Sequence, residues 1–314
     1  MSNCEIRQIF YNKKTFNQIK APFIPLDNTL GRNDWFEFWP IVKFLYNNKL
    51  KSNFFYGFFS PKFREKTGYS VNEVIKIVDE NKNHDVIIFT HTWELLSYYK
   101  SPWEQGETVH PGIIDESQKF LDFVGIKINL ENFISCCKNS FFSNYVVAKK
   151  KYWDSWMKLC LSFYNYTELS TSRLNFKNTA HYSKNNYPLK VFIQERLPSI
   201  LLATDSYKTI NFVKNYKRIS GDFVRTERNI EKIKLCDFYK EKYIFNEQKS
   251  QYLEQFEEAR QKVLSEKFWF NFMVSMPLLI KKLLALVNLL LNGKLQSYYE
   301  KKKVKKMISK RNLV

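Results

Sequence analysis

Glycine and proline are scarce in this sequence, at 8 and 9 of 314 residues. That scarcity excludes collagen-like and low-complexity chains. Cysteine is sparse and odd in number: Cys4, Cys136, Cys137, Cys160 and Cys236, with no C-x-x-C. No disulfide framework is expected, and the chain reads as reduced and cytoplasmic. The four histidines (His84, His91, His110, His181) are scattered, and none has the spacing of a zinc site. The sequence has no G-x-G-x-x-G, no Walker loop and no G-x-S-x-G. Asp-x-Asp is absent, and with it the usual divalent-metal and pyrophosphate signature of many nucleotide-sugar enzymes. No fixed-period repeat points to a solenoid, and the polar first ten residues lack the apolar stretch of a signal peptide.

What is present is a well-filled globular composition. Hydrophobic residues make up 44% and aromatic residues 17%, enough to pack one large domain or two small ones. The net charge is +19, which admits nucleic acid, anionic membranes and phosphate-bearing substrates as partners. Residues 261–314 carry twelve cations against two anions, so about half of the excess lies in the last sixth of the chain. Within that tail, 268–280 is almost wholly apolar, Lys281-Lys282 interrupt it, and an apolar run resumes from Leu283. The uncharged runs are shorter than the ~18–20 residues of a spanning helix. An interfacial helix fits better, with Trp269, Phe270 and the leucines toward lipid and the lysines toward headgroups. The polybasic run 301–306 adds attraction to an anionic leaflet. The alternative is a helix that packs on the domain with a solvated charged end. No nucleic-acid-binding motif accompanies the charge, so no nucleic-acid partner is expected.

Along the chain, 5–11 alternates like a strand, and 20–30 reads as a loop. Residues 34–46 have the length of a helix, with Asn33 or Asp34 as its cap and Pro40 as a break. NFFYGFFS (53–60) and DVIIFT (85–90) suit buried strands. Residues 71–81 show a helical face with Ser70 as cap. Residues 111–124, 150–164 and 189–203 are further helices, 141–148 a further strand, and from about 227 the pattern is helical. Strands alternating with helices imply an α/β sheet.

Four polar clusters fall near the ends of these elements, where open α/β sheets hold ligands. Asp27-Asn28 with Arg32-Asn33-Asp34 could hold a base or ribose, or simply form a capped loop. In Ser60-Pro61-Lys62-Phe63-Arg64, Lys62 and Arg64 could neutralise a diphosphate, or be ordinary surface cations. WEQGETVHPG (103–112) reads as a non-helical segment in which Glu104, Glu107 and His110 could bind sugar hydroxyls or move a proton; the alternative is a capped turn. Gln194-Glu195-Arg196 sits in an apolar frame, either as a base held by Arg196 or as a structural ion pair.

Taken in order, FIPLDNTLGRNDWFEFWPI, FFYGFFSPKFREKTG, DVIIF, WEQGETVHPG, SNYVVAKKKYWDSW and FIQERL resemble a group of bacterial glycosyltransferase-like proteins of capsule and lipopolysaccharide gene clusters. They are also similar, more loosely, to GT-A transferases. The resemblance covers about residues 5–205. It implies a GT-A-like, Rossmann-type α/β sheet flanked by helices, followed by a helical basic C-terminal extension. The implied domains are a catalytic domain over 1–225, a helical extension over 226–265 and a membrane-associating tail over 266–314. It places Asp27, Asn33, Asp34, Ser60, Lys62, Arg64 and His91 on the donor side, and Glu104, Glu107, His110, Asn144 and Lys149 on the acceptor side. Glu195, with Arg196, becomes the base that deprotonates the acceptor. Lys62 and Arg64 stand where metal-dependent relatives keep Asp-x-Asp, so a Mn or Mg ion is possible but unsupported by motif. The implied partners are a nucleotide-sugar donor, a lipid-linked glycan acceptor and the inner face of the membrane. The competing expectation is a non-catalytic membrane-surface scaffold for envelope glycan assembly.

Overall fold

The computed structural model describes residues 3–169, 179–180, 186–219, 223, 225–246 and 248–275; side chains are described to residue 265, except those of residues 33, 169, 179, 180 and 186. In chain order the elements are β1 (Cys4–Phe10), α1 (Lys13–Phe16), β2 (Ile24–Asp27), α2 (Phe38–Asn47), β3 (Phe55–Phe59), α3 (Phe63–Thr67), α4 (Val71–Glu80), β4 (Val86–Phe89), α5 (Trp93–Tyr98), α6 (Pro102–Val109), α7 (Ile113–Phe123), β5 (Val146–Lys149), α8 (Lys150–Leu169), β6 (Thr179–Ala180), β7 (Asn186–Tyr187), α9 (Leu189–Thr204), β8 (Thr209–Phe212), α10 (Glu227–Phe245) and α11 (Ser250–Ser275), with a 3-10 turn at Asn33–Trp35. The protein is α/β: six strands in the order β2-β1-β3-β5-β4-β8 form one mixed sheet flanked by helices, compatible with a Rossmann-like arrangement. A small second ladder pairs β6 with β7. Within the main sheet only β5 is antiparallel to its neighbours.

Alternate side chains of a strand point to opposite faces. In β3, Tyr56 and Phe58 join one core with Ile41 of α2, Trp153 and Trp156 of α8 and Ile193 of α9. Phe55 and Phe59 join the other, with Phe63 of α3 and Val71, Val74 and Val78 of α4. Val86 and Ile88 of β4 divide from Ile87 and Phe89 in the same way. Both faces are covered, which is why these strands read as continuous apolar runs. Gly57 sits where β3 meets β5: a Cβ there would lie 2.9 Å from Val147 Cγ2 and 3.2 Å from Ile6 Cδ1.

Several expected elements shift. The segment 20–30 holds the exposed edge strand β2, whose Pro25 fits an edge position. The helix expected from residue 34 begins at Phe38. Asn33–Trp35 forms the 3-10 turn, and Phe36 at φ 42° breaks the path between them. Pro40 falls in the first turn of α2, where its missing N–H costs nothing. Ser70 caps α4 in a full capping box with Glu73. The strand expected over 141–148 starts only at Val146. Pro102–Val109 is a helix, correcting the non-helical reading of that stretch: Pro102 occupies its first turn, and Ser101 Oγ accepts from Glu104 N at 3.3 Å.

Met1–Val263 pack as one unit and Leu264–Val314 as another. The boundary expected at 225/226 therefore falls inside the first unit. Ile230, Ile233 and Cys236 of α10 pack with Trp93 and Leu96 of α5 and with Phe256 of α11. Lys240 is buried among them, donating to the Leu96 and Tyr99 carbonyls. The side chains of the 266–314 tail lie outside the described residues. Among the described residues, no helix is long and apolar enough to cross a membrane.

The close approach at Gly57 gives a direct test. Gly57→Ala should lower stability by about 1–3 kcal/mol in urea denaturation, because the β3–β5 contact cannot admit a methyl without moving. Val147→Ala should cost less in that background than in the wild type.

Candidate functional site

Because β1, β2, β3, β4 and β8 run parallel and β5 runs against them, the residues that follow the parallel strands meet those that precede β5 along one edge of the sheet. Tyr11 follows β1, Asn28 follows β2, Ser60 follows β3, Thr90 and His91 follow β4, and Asn144 and Tyr145 precede β5. The chain passes from β1 to β2 on one side and to β3 on the other, so the order reverses beside β1. A reversal of this kind opens a crevice at the carboxyl edge.

At that edge is a cavity of about 30 Å³ whose polar lining is Glu37, Ser60, Lys66, Ser143, Asn144, Tyr145 and Glu195. It has room for about one or two water molecules. Glu195 enters from α9, Lys66 from α3, and Glu37 from the residue before α2. Ser60 Oγ and Tyr145 Oη are 2.7 Å apart. The Lys66 ammonium lies 5.7 Å from the Tyr145 ring centroid, and the His91 ring centroid lies 5.3 Å from it. Asn144 is buried, and its Oδ1 has no hydrogen-bond partner; the same holds for Asn28 Oδ1 and Thr90 Oγ1. Buried acceptors left unpaired are unusual in native proteins, and here three border one edge.

The charges of this edge are far from their ordinary states. Glu195 is half-buried on the cavity, with protein packed closely around its carboxyl. Its pKa is pushed up to about 7, first by burial and then by the Glu37 carboxylate, against the pull of Lys66 and Arg196. Burial and the same Glu37 raise the Tyr11 phenol, and burial raises Tyr145. His91 is pushed down to about 3 by burial, with Lys66 and Arg218 adding to it, so it is neutral at pH 7.

Of the residues singled out in the sequence, Glu195, Ser60 and Asn144 come together on the cavity, with His91 beside it. Lys62 and Arg64 are exposed, and the cation on the cavity is Lys66, one helical turn after Lys62. Asp27 is exposed and caps its own turn, accepting from Thr29 N at 2.7 Å. Asn33 lies in the 3-10 turn, and its side chain is outside the described residues. Asp34 is not a free ligand group. Arg32 donates to both its oxygens at 2.8 Å, Lys190 Nζ lies 2.5 Å from it, and its carboxyl is held well below the usual range. Lys190 and Arg32 also reach Glu168, so this network ties the 3-10 turn to α8 and α9.

The expected partnership of Glu195 with Arg196 is corrected. Neighbours on a helix point about 100° apart, and Arg196 turns away to α6. It donates from Nε to the Pro102 carbonyl and from Nη2 to Gln105 Oε1, each at 2.8 Å. Gly106 allows this approach: a Cβ there would lie 3.0 Å from Arg196 Nε. The acceptor-side set also disperses. Glu104 accepts from Lys100 N at 2.6 Å and pairs with Arg260 at 2.9 Å. Glu107 accepts from Gly112 N at 2.6 Å and Ile114 N at 3.0 Å, capping the start of α7. His110 is buried, its ring 3.7 Å from that of Phe192. Lys149 is at the far end of β5 from Asn144, about 16 Å along an extended chain, and pairs with Asp85 at 3.6 Å.

Tyr11, Glu37, Lys66 and Tyr145 escaped the sequence reading. Tyr11 and Tyr145 adjoin strand ends, the one signal that marks them. Glu37 was hidden inside an expected helix. Among the described residues, no group of three or more His, Cys, Asp or Glu gathers as a metal-binding set. Comparison with known proteins finds no matching family model, no matching curated protein and no matching solved structure.

The raised proton affinity of Glu195 has a sign that can be checked. A carboxyl whose folded pKa lies above its unfolded value loses stability as pH rises from about 4.5 to about 7. Glu195→Gln should therefore stabilise the fold by about 2–3 kcal/mol at pH 8 and by almost nothing at pH 4, read by urea denaturation at each pH. Arg196→Met should destabilise at both, by about 3 kcal/mol, because it strands two buried acceptors.

Proposed function

We propose that this chain is a GT-A-like glycosyltransferase that moves a sugar from a nucleotide-sugar donor to a hydroxyl of a lipid-linked or growing surface glycan, in capsule or lipopolysaccharide synthesis. The observation that carries this reading is Glu195: a carboxyl poised near neutrality, facing a polar cavity at the carboxyl edge beside the reversal of strand order. A general base works best when its pKa is close to the working pH. Carboxyl edges at such reversals are where open α/β sheets hold nucleotides. The order of sequence motifs adds support, as does a sheet with a single antiparallel strand beside the cavity.

In this reading the Glu195 carboxylate takes the proton of the acceptor hydroxyl. The freed oxygen attacks the anomeric carbon of the donor. The bond from that carbon to the phosphate oxygen breaks, and the nucleoside diphosphate leaves with the electron pair. Lys66 supplies the positive charge that stabilises the departing phosphate, a role the sequence placed on Lys62 and Arg64. Neutral His91 and the Ser60–Tyr145 pair line the same edge and offer hydrogen bonds without charge. The basic, partly apolar tail supports peripheral attachment to an anionic leaflet, which would hold the site at a lipid-linked acceptor.

Thermal-shift binding to a panel of nucleotides and nucleotide sugars, each with Mn²⁺, with Mg²⁺ and with EDTA, tests the reading. A ligand at a hundred times its Kd stabilises by about 2.7 kcal/mol. The expected result is a shift with one nucleotide class, weakened about tenfold or more in affinity by Lys66→Gln. Glu195→Gln should keep that binding while transfer falls by about 10²–10⁴-fold. A folded sample that shifts with no ligand of the panel would favour the non-catalytic scaffold.

A further inference from the structure

The cavity holds a second carboxylate that the mechanism above does not use. Glu37 immediately precedes α2, yet its side chain makes no capping hydrogen bond to that helix; it lines the same cavity as Glu195. Its backbone position is held by a strained neighbour. Phe36 adopts φ 42° and ψ −123°, a region a bulky residue enters only when its surroundings force it. Asn28 Nδ2 donates to the Phe36 carbonyl at 3.2 Å, and the Phe36 ring meets that of Tyr187 at 5.5 Å. Asn28 itself is fitted over Gly31, where a Cβ would lie 1.8 Å from its Oδ1. A second residue on the cavity, Ser143, also has a left-handed φ of 69°. Strain of this kind collects where a fold holds a functional side chain in place.

The two carboxylates are not equivalent. Glu37 stands at the N-terminus of a ten-residue helix, where the helix dipole favours negative charge. Glu195 lies inside α9, with no such support. The helix terminus thus supports a carboxylate at Glu37, while Glu195 has no such support. Among the described residues, Glu37 and Lys66 from α3 share the cavity with Glu195, Arg196 acts on it from its own helix though turned toward α6, and Tyr11 and Tyr145 stand nearby. Lys66 and Arg196 weaken its hold on a proton, and Glu37 strengthens it.

Resting on the reading of Glu195 as the base, we propose that Glu37 is a positioning residue: its carboxylate, set on the cavity wall by the strained Phe36 turn, faces the same cavity as Glu195 and makes Glu195 the group that takes the proton of the acceptor hydroxyl. Without Glu37, Glu195 would still face the acceptor but would be a weaker base.

The test is a pH titration of protein labelled with ¹³C at the glutamate side-chain carboxyls, followed by NMR without any substrate, with Glu195→Gln and Glu37→Asp assigning the two signals. In the wild type, the Glu195 signal should titrate near neutrality and the Glu37 signal should show an inflection at the same pH, since coupled carboxyls sense each other. In Glu37→Gln the Glu195 midpoint should move toward acid by about one unit, a tenfold loss of proton affinity. Glu37→Asp should retain most of the wild-type midpoint. An unchanged Glu195 midpoint in folded Glu37→Gln overturns the proposal. Should that variant not fold, independent titration of the two signals in the wild type overturns it equally. Because no donor or acceptor is present, the result stands apart from the nucleotide panel: a chain that binds no nucleotide can still show the coupled pair, and a working transferase can lack it.

Discussion

The central strands of this protein are covered on both faces, and that constraint shapes everything else. FYGFF in β3 and VIIF in β4 are buried at every position. A polar group along these strands would need a partner inside apolar layers that offer none. Polar chemistry is thereby driven to the two ends of the sheet. The helices that cover the faces contribute only where their side chains reach past those ends, as Glu195 does from α9 and Lys66 from α3.

The two ends differ in how their charges are settled. At the amino edge, Lys149 pairs with Asp85, and the Asp85 carboxylate also accepts from Lys208 N at 3.0 Å. Away from the cavity, the Asp34, Arg32, Lys190 and Glu168 network is also balanced, two anions against two cations. Such groups hold elements together and have nothing left to offer a ligand. On the carboxyl edge, Glu37, Glu195 and Lys66 share one cavity among acceptors with no partner. The distinction between a structural ion and a functional one lies in this unsettled balance, more than in charge or burial alone.

The sheet was legible in the sequence because two-sided burial writes itself as continuous apolar runs. The strands at 4–10, 55–59 and 86–89 and the α4 helix with its Ser70 cap follow from composition and capping chemistry. What local pattern could not show was long-range pairing. The short edge strand β2 carries a proline and no apolar run, so it reads as loop until β1 supplies its partner. WEQGETVHPG looked irregular because it gathers two carboxylates, a histidine and two glycines; Pro111 and Gly112 fall after the helix has ended at Val109, and Gly106 within it makes room for Arg196. The candidate site divides the same way. Glu195 stood out as a charge in an apolar helix, whereas Glu37 is distinguished only by the turn at Phe36, which no periodicity announces. Lys66 differs from Lys62 by one turn along α3 and from Arg64 by about 200° around it.

The pairing of Glu195 with Arg196 in sequence acquires a different meaning in space. Burying a carboxyl where it must hold a proton near neutrality destabilises the fold at that point. The helix that carries it therefore needs an anchor that the carboxyl cannot supply. Arg196, about 100° around α9, is locked to Pro102 and Gln105 of α6 and to the carbonyl of Phe192 one turn back. At the start of the same helix, Lys190 is locked to Asp34 and Glu168. Two fixed points on one helix set both its height and its rotation. Glu195 lies between them in sequence, so its direction is determined before any ligand arrives. Preorganisation of that kind keeps an electrostatically costly side chain aimed at the cavity.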